Sequence, residues 1–244
     1  MDLPYFDILV PGLPVVFCGI NPSAQAAASG HNFGSVSNRF WPVLHLSGFT
    51  PERIAAQDDR RLVEFGCGIT AAVPRATRSA GELRGREFRT ARDGLRAKIE
   101  HFRPETIAFL GKAAYEAIEG NKVDWGPQSS RFCGAAVWNL PNPSGLNRGF
   151  SLADLVEAYA ALRIERSSSL QRWMARVDDR SSGRHPYGKK GHRRTGDGAF
   201  TIPQRGLASR YPVAWTESPH QCLEDAGARP ADGAAAQRRW RQSR

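Results

Sequence analysis

A chain of 244 residues with 41% hydrophobic side chains can build one sizeable domain with an extension, or two small ones. Its formal charge of +10 invites an acidic partner, but residues 1–164 hold 18 Lys/Arg against 16 Asp/Glu, and residues 165–244 hold 16 against 8. The basic excess therefore belongs to the C-terminal third and says little about the rest; four cysteines without close spacing, and the lack of any signal-like or membrane-length apolar run, argue against metal-centre, secreted and membrane classes.

Residues 13–20 are short, apolar and followed by a polar turn, which predicts a buried strand. Residues 38–47 predict a helix, with Asn38 as its cap and Gly48 as its stop. A second helix is expected over 58–65, and a short strand around Gly68-Ile69-Thr70. Leu95, Ile99 and Phe102 share a helical face over 91–102, and Pro104 ends that helix. Thr106 to Leu110 is another buried strand, after which Gly111-Lys112 opens a helix to about Glu119. Ala135 to Leu140 is a further strand, and Pro141-Asn142-Pro143 forces a turn behind it. Ser151 to Asp154 resembles a capping box ahead of Leu152, Leu155, Val156, Tyr159 and Leu162, a helix ending near Arg163.

Strands alternate with helices, so the class is α/β with a mostly parallel sheet. Ligands of such sheets bind at the carboxyl ends of the strands. Gly19-Ile20-Asn21-Pro22 and Asn142 to Arg148 both fall there. Beyond about residue 165, Gly, Ser, Arg and Pro dominate and no period survives. The expectation is a disordered basic tail over 165–244, with clusters at Lys189-Lys190, Arg193-Arg194 and Arg238 to Arg241. It either binds DNA non-specifically or has no specific role.

The carboxamide of Asn21 offers a donor and an acceptor without titrating, so it can hold a water or read a base edge but cannot be a strong base. The plainer reading is a helix cap. Phe33, in a Gly-flanked loop, is either a stacking platform for a planar ligand or a pin that fixes the loop to the core. The loop Asn142 to Arg148 joins a rigid Pro143, a flexible Gly145, an apolar Leu146 and a cation, Arg148. That is the composition of a wedge for a base stack, or of an ordinary strand-to-helix loop with Leu146 packed inward. Glu82, in the polar loop Ser79 to Arg86, either assists a water or is a solvated surface carboxylate.

In order and spacing, Val16 to Pro22, Asn38-Arg39-Phe40-Trp41, Gly66 to Thr70, Leu110-Gly111-Lys112 and Leu140 to Leu146 together resemble the mismatch-specific uracil/thymine DNA glycosylases. The resemblance covers roughly residues 7–163. It implies the uracil-DNA-glycosylase three-layer fold, a central parallel sheet flanked by helices. It implies a monofunctional glycosylase that flips uracil, and often thymine or etheno-modified bases, out of mispairs with guanine and so initiates base excision repair.

Residue by residue, the resemblance makes Asn21 the group that positions the water and Phe33 the ring that stacks on the flipped base. Asn142 stands where related enzymes carry a histidine and contacts the base. Gly19, Ile20, Ser23 and Asn38 line the pocket; Ser144, Gly145, Leu146, Asn147 and Arg148 form the wedge. No metal or cofactor is required. The partner is double-stranded DNA with G·U or G·T mismatches, the setting cytoplasmic or nucleoid-associated, and the protein a monomer. Departures are Ser23 where Gly is common, Ala71 where some members have Lys, and Asn147 where Ser is common. A catalytically weak mismatch-binding protein on the same fold is the main alternative. A nucleotide-binding α/β enzyme is disfavoured, because neither G-x-G-x-x-G nor a P-loop follows the first strand.

Overall fold

The computed structural model describes residues 4–181. Five strands, Val15–Gly19 (β1), Cys67–Ala71 (β2), Thr106–Leu110 (β3), Gly126–Phe132 (β4) and Ala135–Leu140 (β5), form one sheet in the order β2-β1-β3-β5-β4. All neighbours pair in parallel except β4, which runs antiparallel to β5. Every residue of β1, β2 and β3 is buried, as expected for strands covered on both faces.

Helices Ala24–Ser29 (α1), Phe40–Leu46 (α2), Gly85–Phe102 (α3), Lys112–Glu119 (α4), Leu152–Glu165 (α5) and Ser167–Ser181 (α6) surround it, with 3-10 segments at Ala56–Phe65 and Ala80–Glu82. One core cluster joins Phe17 of β1 to Phe40, Leu44, Leu155 and Tyr159, so α2 and α5 cover one face. Phe17 meets the rings of Phe40 and Phe49 edge-on at 5.4 and 5.3 Å and stacks on Tyr159 at 6.0 Å. The second cluster joins Phe109 of β3 and Val137 of β5 to Leu95, Ile99 and Tyr115, so α3 and α4 cover the other face. Burial of each such side chain contributes about 1.5–3 kcal/mol. The result is the α/β class with a mostly parallel sheet that the strand–helix alternation implied, in the three-layer arrangement that the resemblance implied.

Two elements escape the sequence pattern. β4 is an edge strand with only its two end residues buried; it carries Pro127, and its pairing slips between Pro127 and Arg131. It reaches β5 through a two-residue turn, Cys133-Gly134, with φ of 51° and 86°, the twist that suits a tight hairpin. The opposite edge, β2, is covered by residue 8: Ile8 N donates to Ile69 O at 2.8 Å, and Ile69 N donates to Ile8 O at 3.0 Å.

The second element corrects the expected start of the tail. Residues 167–181 are helical, and Leu170, Trp173, Met174 and Val177 repeat at helical spacing within a Ser- and Arg-rich composition that hid them. Leu170 is buried, and Trp173 donates its indole N–H to Val63 O at 2.8 Å. The Trp173 ring lies so close to Gly66 that a Cβ there would sit 3.2 Å from it. Ser169 donates to Glu105. Gly66 and Glu105 directly precede β2 and β3, so α6 seats against the entrances of the strands, the end away from both motifs. The basic clusters at 189–194 and 238–241 lie outside the described residues.

Candidate functional site

The order β2-β1-β3-β5-β4 sets β1 and β5 on either side of β3. The segments that leave these strands are therefore brought together over the end of β3. Gly111, just past β3 with φ 109°, is where they meet: a Cβ there would lie 3.6 Å from Asn142 Cβ, 3.9 Å from Asn142 Nδ2 and 3.9 Å from Ile20 Cδ1. The chain leaves β3 by a bond from Gly111 N to Leu140 O at 2.7 Å.

Asn21 is not a helix cap. That place belongs to Ser23, whose hydroxyl accepts from Ala26 N at 3.0 Å at the start of α1. Instead, Asn21 Nδ2 donates to Arg75 O and Thr77 Oγ1, both at 2.8 Å, and to Pro22 O at 3.1 Å. Three acceptors on the amino group fix the amide and leave the carbonyl oxygen as its acceptor for an incoming group. Thr77 passes the constraint on by donating to Ser79 O at 2.8 Å.

Asn142 is held the other way round. Its Oδ1 accepts from Ser144 N at 2.9 Å, and its main-chain oxygen accepts from Asn147 Nδ2 at 2.8 Å. The amino group is left as its donor, on the side facing Gly111. Tyr159 of α5 secures the preceding residue by donating to Pro141 O at 3.3 Å. Burial pushes the Tyr159 phenol well above its ordinary pKa, so it remains a donor. The site thus offers one amide acceptor and one amide donor, on opposite sides of β3.

Phe33 stacks on Phe40 with centroids 4.0 Å apart and planes inclined by 27°. Its Cζ lies 3.8 Å from where a Cβ on Gly19 would sit, so the ring closes over the end of β1. Phe33 has φ 53°, a left-handed conformation that is uncommon outside glycine. The loop is anchored by Asn32, whose N–H and Nδ2 both donate to the buried Asp59 at 2.9 and 3.0 Å.

The loop from Asn142 to Arg148 departs from an inward-packed turn. Leu146 is 75% exposed, and Arg148 is exposed without an ion pair to any described residue. Asn147 braces the loop from within, through Asn142 O and by accepting from Gly149 N at 3.3 Å. Ser144 Oγ accepts from Leu146 N at 3.3 Å. Gly145 faces Ser37 so closely that a Cβ would come within 2.5 Å of the Ser37 Cβ. Beside that contact Val36 is wholly exposed.

Two expected site residues are committed elsewhere. Glu82 accepts from Ser79 N at 2.9 Å, closing a capping box in its own loop. Asn38 Oδ1 accepts from Phe40 N at 2.9 Å, but the N-cap of α2 is Arg39, not Asn38 as expected, because the helix starts one residue later. Sequence reasoning passed over Thr77, Arg75 and Arg39, whose partners are mostly main-chain carbonyls and leave no residue-type signal. Arg75 also pairs with Glu87 at 2.7 Å. That pairing, with a hydrogen bond from Arg84 N, holds the Glu87 carboxyl far below the carboxylate range, at about 2. Ala71, opposite Gly19 in the sheet register, adds no polar group.

In open α/β sheets ligands bind outside the carboxyl ends of the strands, and there this protein sets both amides and the exposed loop. The model of the Uracil DNA glycosylase superfamily matches residues 6–163. The chain belongs to that superfamily: it is a DNA glycosylase, a hydrolase of N-glycosidic bonds whose partner is DNA.

Proposed function

We propose that the protein, as a monomer on duplex DNA, flips and excises uracil mispaired with guanine, and extends this to thymine or etheno-modified bases in the same mispair. The observation that carries the reading is the pair of oppositely oriented amides, Asn21 with a free acceptor and Asn142 with a free donor, beside a loop that exposes Leu146.

The target base must leave the stack, at a cost of a few kcal/mol that is least for a mismatch. Leu146 fills the gap, and Arg148 reaches the phosphates or the widowed guanine. Phe33, already stacked on Phe40, offers its other face to the flipped base. As the glycosidic bond breaks, the sugar becomes oxocarbenium-like and the base gathers negative charge. The Asn142 amino group donates to that charge. Asn21 Oδ1 accepts from the water that attacks the sugar carbon. With amides at both positions no group removes a proton strongly, so turnover is slow and depends on how readily the base is expelled. We assign Glu82 no part in this chemistry.

The test is single-turnover cleavage of duplexes carrying G·U, G·T or A·U, and of single-stranded uracil DNA. The reading expects abasic product from G·U first. Product from none of them, with mismatch binding retained, would make this a mismatch-binding protein on a glycosylase fold. Asn21→Ala should slow G·U cleavage at least about 10²-fold while binding persists; cleavage at the parent rate would remove Asn21 from the mechanism.

A further inference from the structure

We propose that Arg39 is a positioning residue that holds the wedge loop in its inserting shape before DNA arrives. The proposal rests on the glycosylase reading for the purpose of that shape, but its geometry stands alone. Arg39 precedes α2, far from the loop in sequence. Its Nη1 donates to Phe150 O at 2.7 Å, Nη2 to Asn147 O at 2.8 Å and to Ser144 O at 3.0 Å, and Nε to Pro143 O at 3.4 Å. Its main-chain N–H adds a bond to Pro143 O at 3.0 Å.

One planar cation therefore gathers carbonyls from both ends and the middle of Pro143 to Phe150. Carbonyls that a helix or strand would satisfy internally are here satisfied by a side chain. The fork is specific to a guanidinium, since an ammonium has no fixed plane with which to span four acceptors. No carboxylate among the described residues pairs with Arg39, so all of its recorded side-chain bonds go to the carbonyls of this loop.

Leu146 at the loop's tip is 75% exposed, whereas Phe150 at the loop's end packs against the core. A loop that must order itself on binding loses affinity to that ordering, whereas a loop ordered on folding does not. The Ser37–Gly145 contact, two residues before Arg39, ties the same two segments a second time.

The test uses Arg39→Lys in the full chain, with two measurements. Hydrogen–deuterium exchange of the free protein should show amides of residues 144–149 exchanging about tenfold faster, while β1, β3 and β5 keep the parent rate. Single-turnover cleavage of a G·U duplex should fall about tenfold, and Arg39→Lys combined with Leu146→Ala should be no slower than Leu146→Ala alone. Unchanged loop exchange overturns the proposal, as does faster exchange throughout the sheet, which would make Arg39 an ordinary structural residue. Loop loosening with full cleavage, or additive losses in the double variant, overturns the link to the wedge. If the parent cleaves nothing, the glycosylase reading falls, while the exchange result still decides whether Arg39 orders the loop.

Discussion

A methyl group on Gly145 would come within 2.5 Å of Ser37 Cβ and 2.6 Å of Ser37 O. Gly145→Ala should therefore push the wedge loop off the turn before α2 and lower G·U cleavage about tenfold, with a smaller effect on thermal stability. Adding Ser37→Gly should restore part of the rate, because it removes the side chain but leaves the carbonyl. Full activity in Gly145→Ala alone would show that the two loops move freely past each other. At Asn142 the expectation is larger: on the proposed mechanism Asn142→Ala removes a donor to a developing anion, and such losses run to about 10²–10³ in rate. A loss below threefold in single-turnover cleavage would take Asn142 out of the chemistry. Both residues were legible in the sequence, because a short motif with Pro and Gly at fixed places follows a buried strand. Arg75 and Thr77 were not, since they lie 54 and 56 residues from Asn21 and only the folded chain brings them to its amide.

At the scale of elements, the loop behind Asn21 and the helix at the strand entrances behave differently. Arg75 presents its carbonyl to Asn21 and its guanidinium to Glu87, so α3 steadies Asn21 at one remove. Because the Glu87 pKa is depressed in the fold, its contribution is present above the ordinary carboxylate value and is lost as pH falls toward about 2. Amides of residues 75–79 should therefore lose protection in acid before those of β1, and Glu87→Gln should expose them at neutral pH; equal protection in that variant would refute the coupling. For α6, Trp173→Ala removes a half-buried ring and its bond to Val63 O. The expected cost is about 2 kcal/mol, or roughly 4–8 °C in melting temperature, with G·U cleavage preserved because the contact sits at the far end of the sheet. Most helices and the parallel strands could be read in advance from apolar periodicity. β4 and α6 could not: one has an edge strand's polar face, and the other's four large apolar residues are diluted by serine and arginine.

Across the whole molecule, a buried ion pair links the N-terminal segment to α3 and β2. Lys98 Nζ donates to Asp7 Oδ2 at 3.1 Å and to Thr70 Oγ1 at 2.9 Å, while Thr70 donates to Asp7 at 2.7 Å. Asp7→Asn would leave the ammonium largely enclosed without its counter-charge, at a cost of about 3 kcal/mol. Thermal unfolding that shifts by less than about 2 °C would mean that water already compensates the pair. Thiol chemistry follows from the same enclosure. Burial pushes Cys18 up to about 12 and raises Cys67 as well; partial burial also raises Cys133, but it alone of the three described cysteines is partly exposed, so it should be the one alkylated in the native protein. The single bridge that Ile8 makes to Ile69 of β2 has a wider consequence. A sheet with an open apolar edge recruits further copies of itself, and here the two edges are closed by different means: β4 by proline and polar side chains, β2 by a few residues near the start of the chain. Deleting the residues before Val10 should uncover Ile69 and the outer edge of β2 and make the protein more prone to aggregate on standing, as light scattering would register.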